Sequence, residues 1–239
     1  MVYLYDNTYE GFLTALFVSF RDKNALVFRS VKDIPPMLDY ITVKTDSEKF
    51  ERLQNGIKKS LSQTILRDTY LLYLSGAPEH ATVCLAYLRF CFSKGKGARS
   101  LRYEDSVKNA LNLRDKVMRE YDRMLGLVRF DKTETGTYVA QLEPDNNILP
   151  LIAGHFAQRM PSHSFIIRDI SRNIAMLSHI GSWGISELSP DVDFDFTGDE
   201  FRSMWKDYWQ TMAIKERLNP RLQKQYMPKR YWKHLPEIT

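Results

Sequence analysis

The chain has 239 residues, of which 44% are hydrophobic and 13% aromatic, so it has ample apolar material for a packed core and is not an intrinsically disordered protein. Its formal net charge of +5 is modest and favours a polyanionic partner only where the positive residues are concentrated. The apolar run at residues 83–88 is much shorter than the roughly 20 residues of a membrane-spanning helix, which argues against a membrane protein.

The first 45 residues predict a small α+β part in the order strand, helix, strand, strand. Short β-rich runs at residues 2–5, 25–28 and 40–43 predict the strands. Thr8 is expected to cap the helix, because an apolar stripe at helical spacing follows it. That stripe consists of Phe12, Leu13, Leu16, Phe17 and Phe20.

Residues 46–126 predict a helical part with three helices. Asp46 or Ser47 caps the first, whose apolar spacing continues to about residue 74 and stops at Ser75-Gly76-Ala77-Pro78. Pro78 opens the second, in which residues 82–92 are almost all apolar, so we expect it to be the buried centre of this part. The third is predicted from about residue 104 to residue 125.

Cys84 and Cys91 both fall in the second predicted helix. Seven residues of helix separate them by about 10 Å, which is too far for a disulfide. Two free thiols fit a reducing compartment, and the N-terminus lacks the basic start and long apolar core of a signal peptide. We therefore expect a cytoplasmic protein.

A basic loop separates the second and third predicted helices. Lys94, Lys96 and Arg99 alternate there with two glycines, a composition suited to a mobile loop that clamps a phosphate backbone. The spacing does not match a P-loop. A solvated linker explains the same residues equally simply.

From residue 127 to residue 188 the pattern changes to short strands around one helix. Strands are predicted at residues 127–130, 138–142, 165–168, 175–179 and 183–187. The helix is predicted from a cap near Asp145 to Arg159, between the second and third of these strands. This order predicts a largely antiparallel sheet with a helix on one face.

His155, Arg159 and Asp169 form the candidate catalytic group of this region. His155 and Arg159 are four residues apart on the predicted helix and share a face, and Asp169 ends a predicted strand. A histidine, an arginine and a carboxylate that converge can bind phosphate and activate water. The alternative is an ion pair from Asp169 to Arg159 or His155 that fastens the helix to the sheet.

No metal site and no cofactor are expected, because the five histidines lack ligand spacing and do not pair with the cysteines. Residues 187–200 hold six acids and no base, without the pattern of an EF-hand loop. We interpret them as a docking loop or as negative charge preceding a predicted helix at residues 199–212. The aromatic residues of that helix are expected to lie in the core.

The most informative segment is the basic tail. Residues 215–233 contain seven basic residues and one acid, with aromatic residues set among them, which suits a surface that follows a nucleic-acid backbone. The aromatic residues can instead pack the tail onto the body. The candidate nucleic-acid-binding residues of the tail are Arg217, Arg221, Lys224, Lys229, Arg230, Trp232 and Lys233, and those of the basic loop are Lys94, Lys96 and Arg99.

The tail also carries a resemblance. Asn219-Pro220-Arg221-Leu222-Gln223 and Met227-Pro228-Lys229-Arg230-Tyr231-Trp232-Lys233 resemble the C-terminal signature of a bacterial family of DNA metabolism or DNA repair proteins. Tyr5-Asp6-Asn7-Thr8-Tyr9-Glu10-Gly11 resembles the family's opening, with Asn7 where the family tends to have glycine, and His155-Phe156-Ala157-Gln158-Arg159 with Ile167-Arg168-Asp169 resembles its middle. The resemblance implies that a radical-SAM iron-sulfur protein is the partner. In that family, related domains occur fused to uracil-DNA-glycosylase-like domains.

Together these observations predict an α+β protein whose residues 1–239 form one DNA metabolism domain. Its parts are residues 1–45, 46–126, 127–188 and 189–239. The leading hypothesis is an accessory protein that binds DNA and works with a radical-SAM partner. The alternatives are a base- or phosphate-processing repair enzyme that uses the candidate catalytic group, and a protein adaptor that does not contact DNA.

Overall fold

The computed structural model describes residues 1–180, 182–189, 191–192, 194–196, 204, 207, 211–212 and 219–236. It confirms the predicted α+β class, with one three-stranded and one five-stranded sheet. The chain forms two compact units, Met1–Met118 and Arg119–Thr239. Most of the predicted helix at residues 199–212 lies outside the described residues, as does Arg217.

The sheet of the first unit confirms the three predicted N-terminal strands. They are β1 (Val2–Leu4), β2 (Leu26–Phe28) and β3 (Tyr40–Thr42), in the order β2-β1-β3 with all neighbours parallel. Helix α1 (Tyr9–Ser19) connects β1 to β2, and the side chain of Thr8 caps it by accepting from the Gly11 N–H at 2.9 Å. The expected cap is therefore confirmed.

The first predicted helix of the middle part is two helices. Helix α2 (Ser47–Gly56) runs into a π-helical turn at Ile57–Leu61, and α3 (Gln63–Tyr73) begins after an extended residue, Ser62, with φ −163° and ψ 159°. The Ser62 hydroxyl caps α3 by accepting from the Ile65 N–H at 3.2 Å. Ile57 and Ile65 are both buried, so the apolar spacing does not reveal the break.

Helix α4 (His80–Lys94) is the buried centre that the sequence predicts. Its fully buried side chains are His80, Ala81, Cys84, Leu85, Tyr87, Leu88 and Cys91, and both cysteines are free thiols. Helix α5 (Asp105–Leu127) follows, and the boundary between the two units falls within its sequence. Among the described residues, no helix is long and apolar enough to cross a bilayer.

Thr82 of α4 completes the outer side of the edge strand β2. The Val27 N–H donates to the Thr82 hydroxyl oxygen at 2.8 Å, and that hydroxyl donates to the Val27 carbonyl oxygen at 3.1 Å. Val27 is the middle residue of β2, and its other neighbours in the sheet lie on the β1 side. A single hydroxyl therefore satisfies both outward backbone groups of this residue.

The sheet of the second unit is mixed. Its strands, in order across the sheet, are β4 (Asp131–Lys132), β5 (Tyr138–Leu142), β6 (Phe165–Asp169), β7 (Ile174–His179) and β8 (Ser182–Glu187). All neighbours are antiparallel except β5 and β6, which are parallel because helix α6 (Leu149–Arg159) connects them as a crossover. The predicted strand at residues 127–130 is wrong, since α5 continues to Leu127 and the strand begins at Asp131.

The tail consists of a short helix and a 3-10 turn. Helix α7 (Pro220–Tyr226) is capped by Asn219, whose side-chain oxygen accepts from the Leu222 N–H at 3.0 Å. The 3-10 turn spans Lys229–His234 and starts directly after Pro228. Each of the two pieces thus has a proline at its start.

Candidate nucleic-acid interface

A buried carboxylate in the second unit fixes the tail. Glu120 of α5 is only 2% exposed and accepts a short hydrogen bond from the Tyr231 hydroxyl. The Arg230 guanidinium lies 3.2 Å from the same carboxylate oxygen. The backbone N–H groups of Asp145 and Asn146 donate to the two oxygens of Glu120 at 2.9 and 2.8 Å. The tail is therefore joined to the core of its own unit.

Arg230 and Tyr231 support one another at this anchor. The Arg230 guanidinium donates to the Tyr231 hydroxyl at 2.5 Å, lies 4.6 Å from the centre of its ring, and also pairs with the carboxylate of Asp145. Burial, and then the hydrogen bond to Glu120, raise the pKa of Tyr231 well above its ordinary value. Tyr231 therefore remains a hydrogen-bond donor across the physiological range.

The end of the tail is also attached. Leu235 is buried, and the indole N–H of Trp232 donates to the Met227 carbonyl oxygen at 2.8 Å. Lys233 pairs with Glu143 at 2.7 Å. The sequence left two roles open for the aromatic residues of the tail, packing and contact with a nucleic acid. Tyr231 is buried and packs. Trp232 forms its hydrogen bond within the tail.

Several residues in the first part of the tail, between residues 221 and 229, are exposed. The side chains of Arg221, Lys224 and Lys229 are exposed, and none of them pairs with a carboxylate of the described residues. Tyr226 beside them is 63% exposed, and the Lys229 ammonium lies 5.8 Å from the ring centre of Trp232. We call Arg221, Lys224, Tyr226 and Lys229 the basic tail face.

Two arginines of α5 extend this positive surface. The Arg123 guanidinium donates to the Gln225 carbonyl oxygen of α7 at 3.4 Å. Arg119 is exposed and lies one helical turn earlier on the same side of α5, because residues four apart share a face. Neither arginine is among the residues predicted from the sequence, although their spacing of four in a long predicted helix indicates a shared face.

The basic loop is held in place more firmly than predicted. The Arg99 guanidinium lies 2.6 Å from the carboxylate of Asp68, which is 2% exposed, and Ala98 is buried. Arg99 is therefore a structural residue here and not a member of a mobile clamp. Lys94 and Lys96 are exposed and have no ion pair within the part of the chain that the structure describes.

Asp169 of the candidate catalytic group is bound elsewhere. It is fully buried, and the Arg172 guanidinium lies 2.8 Å from one of its oxygens while the Arg172 N–H donates to the other at 3.2 Å. Burial raises the pKa of Asp169 above its ordinary value, and the charge of Arg172 opposes that shift. The same guanidinium donates to the carbonyl oxygens of Pro144 and Asp145, at 3.0 and 2.5 Å. This arrangement fastens the end of β6 to the loop before α6.

Arg159 lies toward the other end of β6. It lines a pocket of about 520 Å³ together with Phe130 and Phe156. The ring of Phe130 is 5.7 Å from that of Phe165, the first residue of β6, whereas Asp169 is the last, about 13 Å further along the strand. The structure therefore does not bring Arg159 and Asp169 together, and the expected ion pair between them is replaced by the pair of Asp169 with Arg172.

His155, the third member of the candidate catalytic group, is half-buried on α6 and its ring packs edge-on against Phe156 at 5.1 Å. The three residues thus do not form one cluster. Within the described ranges, no group of three or more histidine, cysteine, aspartate or glutamate residues is arranged to hold a metal ion.

A comparison with protein-family models gives one match. The model for Domain of unknown function (DUF4130) matches residues 78–237, which is more than half of the chain and includes α4, the mixed sheet and the tail. Comparisons with curated proteins and with solved structures give no match. The chain belongs to the DUF4130 family.

Proposed function

We propose that this protein is a nucleic-acid-binding accessory of DNA metabolism or repair, which acts in the cytoplasm beside a radical-SAM iron-sulfur protein. One observation carries the DNA-binding part of the proposal: some basic residues of the tail are paired with carboxylates, and the others have no such partner in the described residues. Arg230 and Lys233 are paired with carboxylates, whereas Arg221, Lys224 and Lys229 are exposed without such partners in the described residues.

The chemistry of the exposed residues suits a phosphate backbone. Cations without carboxylate partners can neutralise phosphates and release counterions, which is the main source of affinity in non-specific binding. The exposed ring of Tyr226 provides a flat surface on which an unpaired base can stack. We therefore expect single-stranded DNA to bind at least as well as a duplex.

The iron-sulfur partner follows from the family resemblance. Burial raises the pKa of Cys91 to about 11 and raises that of Cys84 further, so both thiols of this chain stay protonated at neutral pH. The chain has two cysteines, whereas iron-sulfur clusters of the common types use four cysteine ligands, so we assign the iron-sulfur chemistry to the partner and the contact with DNA to this chain.

Fluorescence anisotropy with labelled single- and double-stranded DNA across a salt series tests the DNA-binding proposal. The variant Arg221→Ala/Lys224→Ala/Lys229→Ala should reduce the slope of log affinity against log salt by about 2 to 3, because each phosphate contact contributes ~0.7–0.9. The matched control Lys58→Ala/Lys59→Ala/Arg67→Ala removes the same charge from exposed positions of the first unit and should leave the slope unchanged.

Two results would contradict this proposal. If the wild-type protein does not bind DNA at low salt, the adaptor hypothesis replaces it. If the control variant flattens the salt slope as much as the tail variant does, general positive charge and not the basic tail face is responsible. The partner is tested separately by co-purification with a tagged radical-SAM protein, and a failure to co-elute would remove that part of the proposal alone.

A further inference from the structure

The first unit contains a pocket that the proposed function does not use. It has a volume of about 790 Å³ and lies where the end of α1, helix α2 and the end of α4 meet. Its apolar wall is formed by Phe17, Phe20, Leu53 and Phe92, and its charged residues are Arg21, Lys49 and Arg52. All the charged residues that line it are positive.

The apolar wall is built from aromatic rings in fixed contact. The rings of Phe20 and Phe92 pack edge to face with their centres 5.6 Å apart. Gly56 leaves space beside Phe92, since a Cβ atom there would lie 3.7 Å from the tip of the Phe92 ring. Leu53 is buried and completes the wall from α2. The pocket therefore offers a preformed apolar surface to a ligand.

Arg21, the first of the positive residues at the pocket, is not needed to cap the helix that precedes it. Arg89 donates to the carbonyl oxygens of Ser19, Phe20 and Asp22 at 2.7, 2.9 and 2.6 Å, so the end of α1 is capped without Arg21. Arg21 is exposed and pairs with no carboxylate of the described residues.

The other two cations differ from each other. The Arg52 guanidinium lies 5.3 Å from the ring centre of Phe17 and has no ion pair within the described part of the chain. Lys49 is already paired with Asp46 at 2.5 Å. Two guanidinium groups are thus free to receive an anion at the rim of an aromatic wall.

We propose that this pocket binds an organic anion with an apolar body, with its carboxylate or phosphate on Arg21 and Arg52 and its body against Phe20, Leu53 and Phe92. The volume lies within the range of roughly 300–1,000 Å³ that is usual for small-molecule sites. A guanidinium matches both carboxylate and phosphate in a bidentate geometry. An acyl carboxylate and a nucleotide share this chemistry, and the experiment below distinguishes them.

The test compares two probes that differ only in charge. Binding of 1-naphthaleneacetate and of its neutral amide to the full-length protein is followed by ligand-observed NMR and by calorimetry. We expect the acid to bind at least about tenfold more tightly than the amide, since a charge-assisted hydrogen bond contributes ~1.5–3 kcal/mol. Decanoate and thymidine monophosphate are then used as competitors.

Two variants locate the site. Gly56→Leu places a side chain in the pocket at a position with ordinary helical backbone angles, φ −59° and ψ −45°, so it should block binding without lowering the thermal midpoint. Arg21→Gln/Arg52→Gln should remove the preference for the acid over the amide. The control Lys58→Gln/Lys59→Gln removes the same charge nearby and should change neither.

Displacement by decanoate supports an acyl ligand, and displacement by thymidine monophosphate supports a nucleotide. The proposal is overturned if the wild-type protein binds neither naphthalene probe, if Gly56→Leu binds the acid as tightly as wild type, or if neither competitor displaces it. DNA binding by Gly56→Leu should equal that of wild type, so failure of this proposal is distinguishable from failure of the proposed function.

Discussion

The basic loop at residues 94–99 and the basic tail at residues 219–236 are attached by the same chemistry but leave different surfaces exposed. In each, a guanidinium meets a buried carboxylate: Arg99 meets Asp68 in the loop, and Arg230 meets Glu120 in the tail. The loop keeps two exposed lysines, whereas the tail keeps an exposed tyrosine and three exposed cations that have no carboxylate partner in the described residues. In both segments one arginine is used to hold the backbone, so the charge available to a ligand is that of the remaining unpaired cations.

The tail anchor should give the largest effect. Glu120→Ala removes the acceptor of Tyr231, Arg230 and two backbone N–H groups, and we expect the free energy of unfolding to fall by ~3–5 kcal/mol, because buried donors are left unpaired. Urea unfolding measures it. The control Glu143→Gln removes a partly exposed pair with Lys233 and should cost less than about 1 kcal/mol. Equal losses in the two variants would show that the tail is not anchored through Glu120.

The loop anchor should give a smaller loss. Asp68→Asn weakens the pairs with Arg99 and Arg114, at 2.6 and 3.5 Å, but keeps an oxygen that can accept from Tyr87, so we expect a fall of ~2–3 kcal/mol in the free energy of unfolding. DNA affinity should stay unchanged, because neither Asp68 nor Arg99 belongs to the basic tail face. A loss of DNA binding in a folded Asp68→Asn protein would mean that the loop, and not only the tail, forms the interface.

The stability of the first unit should also depend on pH through the buried His80, which lies outside the basic loop. Burial lowers the pKa of His80 from 6.5 to about 4, with Tyr5 donating to Nε2 at 2.8 Å and Nδ1 bonded to the Ala77 carbonyl oxygen at 2.6 Å. Between pH 6.5 and about 4, His80 is therefore protonated in the unfolded chain but neutral in the folded chain.

Stability should accordingly fall as the pH drops from about 6.5 toward 4, by up to ~3 kcal/mol at the lower end, and be fully present above 6.5. Urea unfolding at neutral and at mildly acid pH measures this loss. His80→Gln should be less stable at neutral pH and should lose less stability on acidification. A variant with the same pH dependence as wild type would exclude His80 as the cause.

The smallest effect is expected from the exposed loop lysines. Lys94→Ala/Lys96→Ala should change the affinity for DNA by less than about threefold at moderate salt, since neither lysine belongs to the basic tail face. The same anisotropy assay measures it. If this double variant loses as much affinity as the triple variant of the tail, the difference between the two segments does not govern binding.

Local patterns in the sequence predicted the local elements well. The short apolar run at residues 138–142 predicted β5 with its observed ends, and Thr8 caps α1 as expected. The break at Ser62 was missed because the buried residues on either side keep helical spacing across it. The first strand of the mixed sheet was misplaced because the apolar residues that suggested it end a long helix.

The candidate site was harder to predict because its decisive contacts join distant residues. Arg230 and Glu120 are 110 residues apart, and no local pattern pairs them. The ion pair of Asp169 with Arg172 is local and could have been predicted, since the two residues are only three positions apart in the sequence. The sequence shows which residues are basic, but only the fold decides which of them are neutralised.

The hydroxyl of Thr82 closes part of a sheet edge that would otherwise carry unpaired backbone groups. Edge strands with unpaired backbone groups are templates for strand addition between molecules, and β2 is an edge strand whose middle residue is already satisfied by this one side chain. Thr82→Val, which replaces the hydroxyl by a methyl group, would leave both backbone groups of Val27 unpaired in a buried position. The edge of the sheet at Val27 is therefore closed within its own unit by a residue 55 positions later in the sequence.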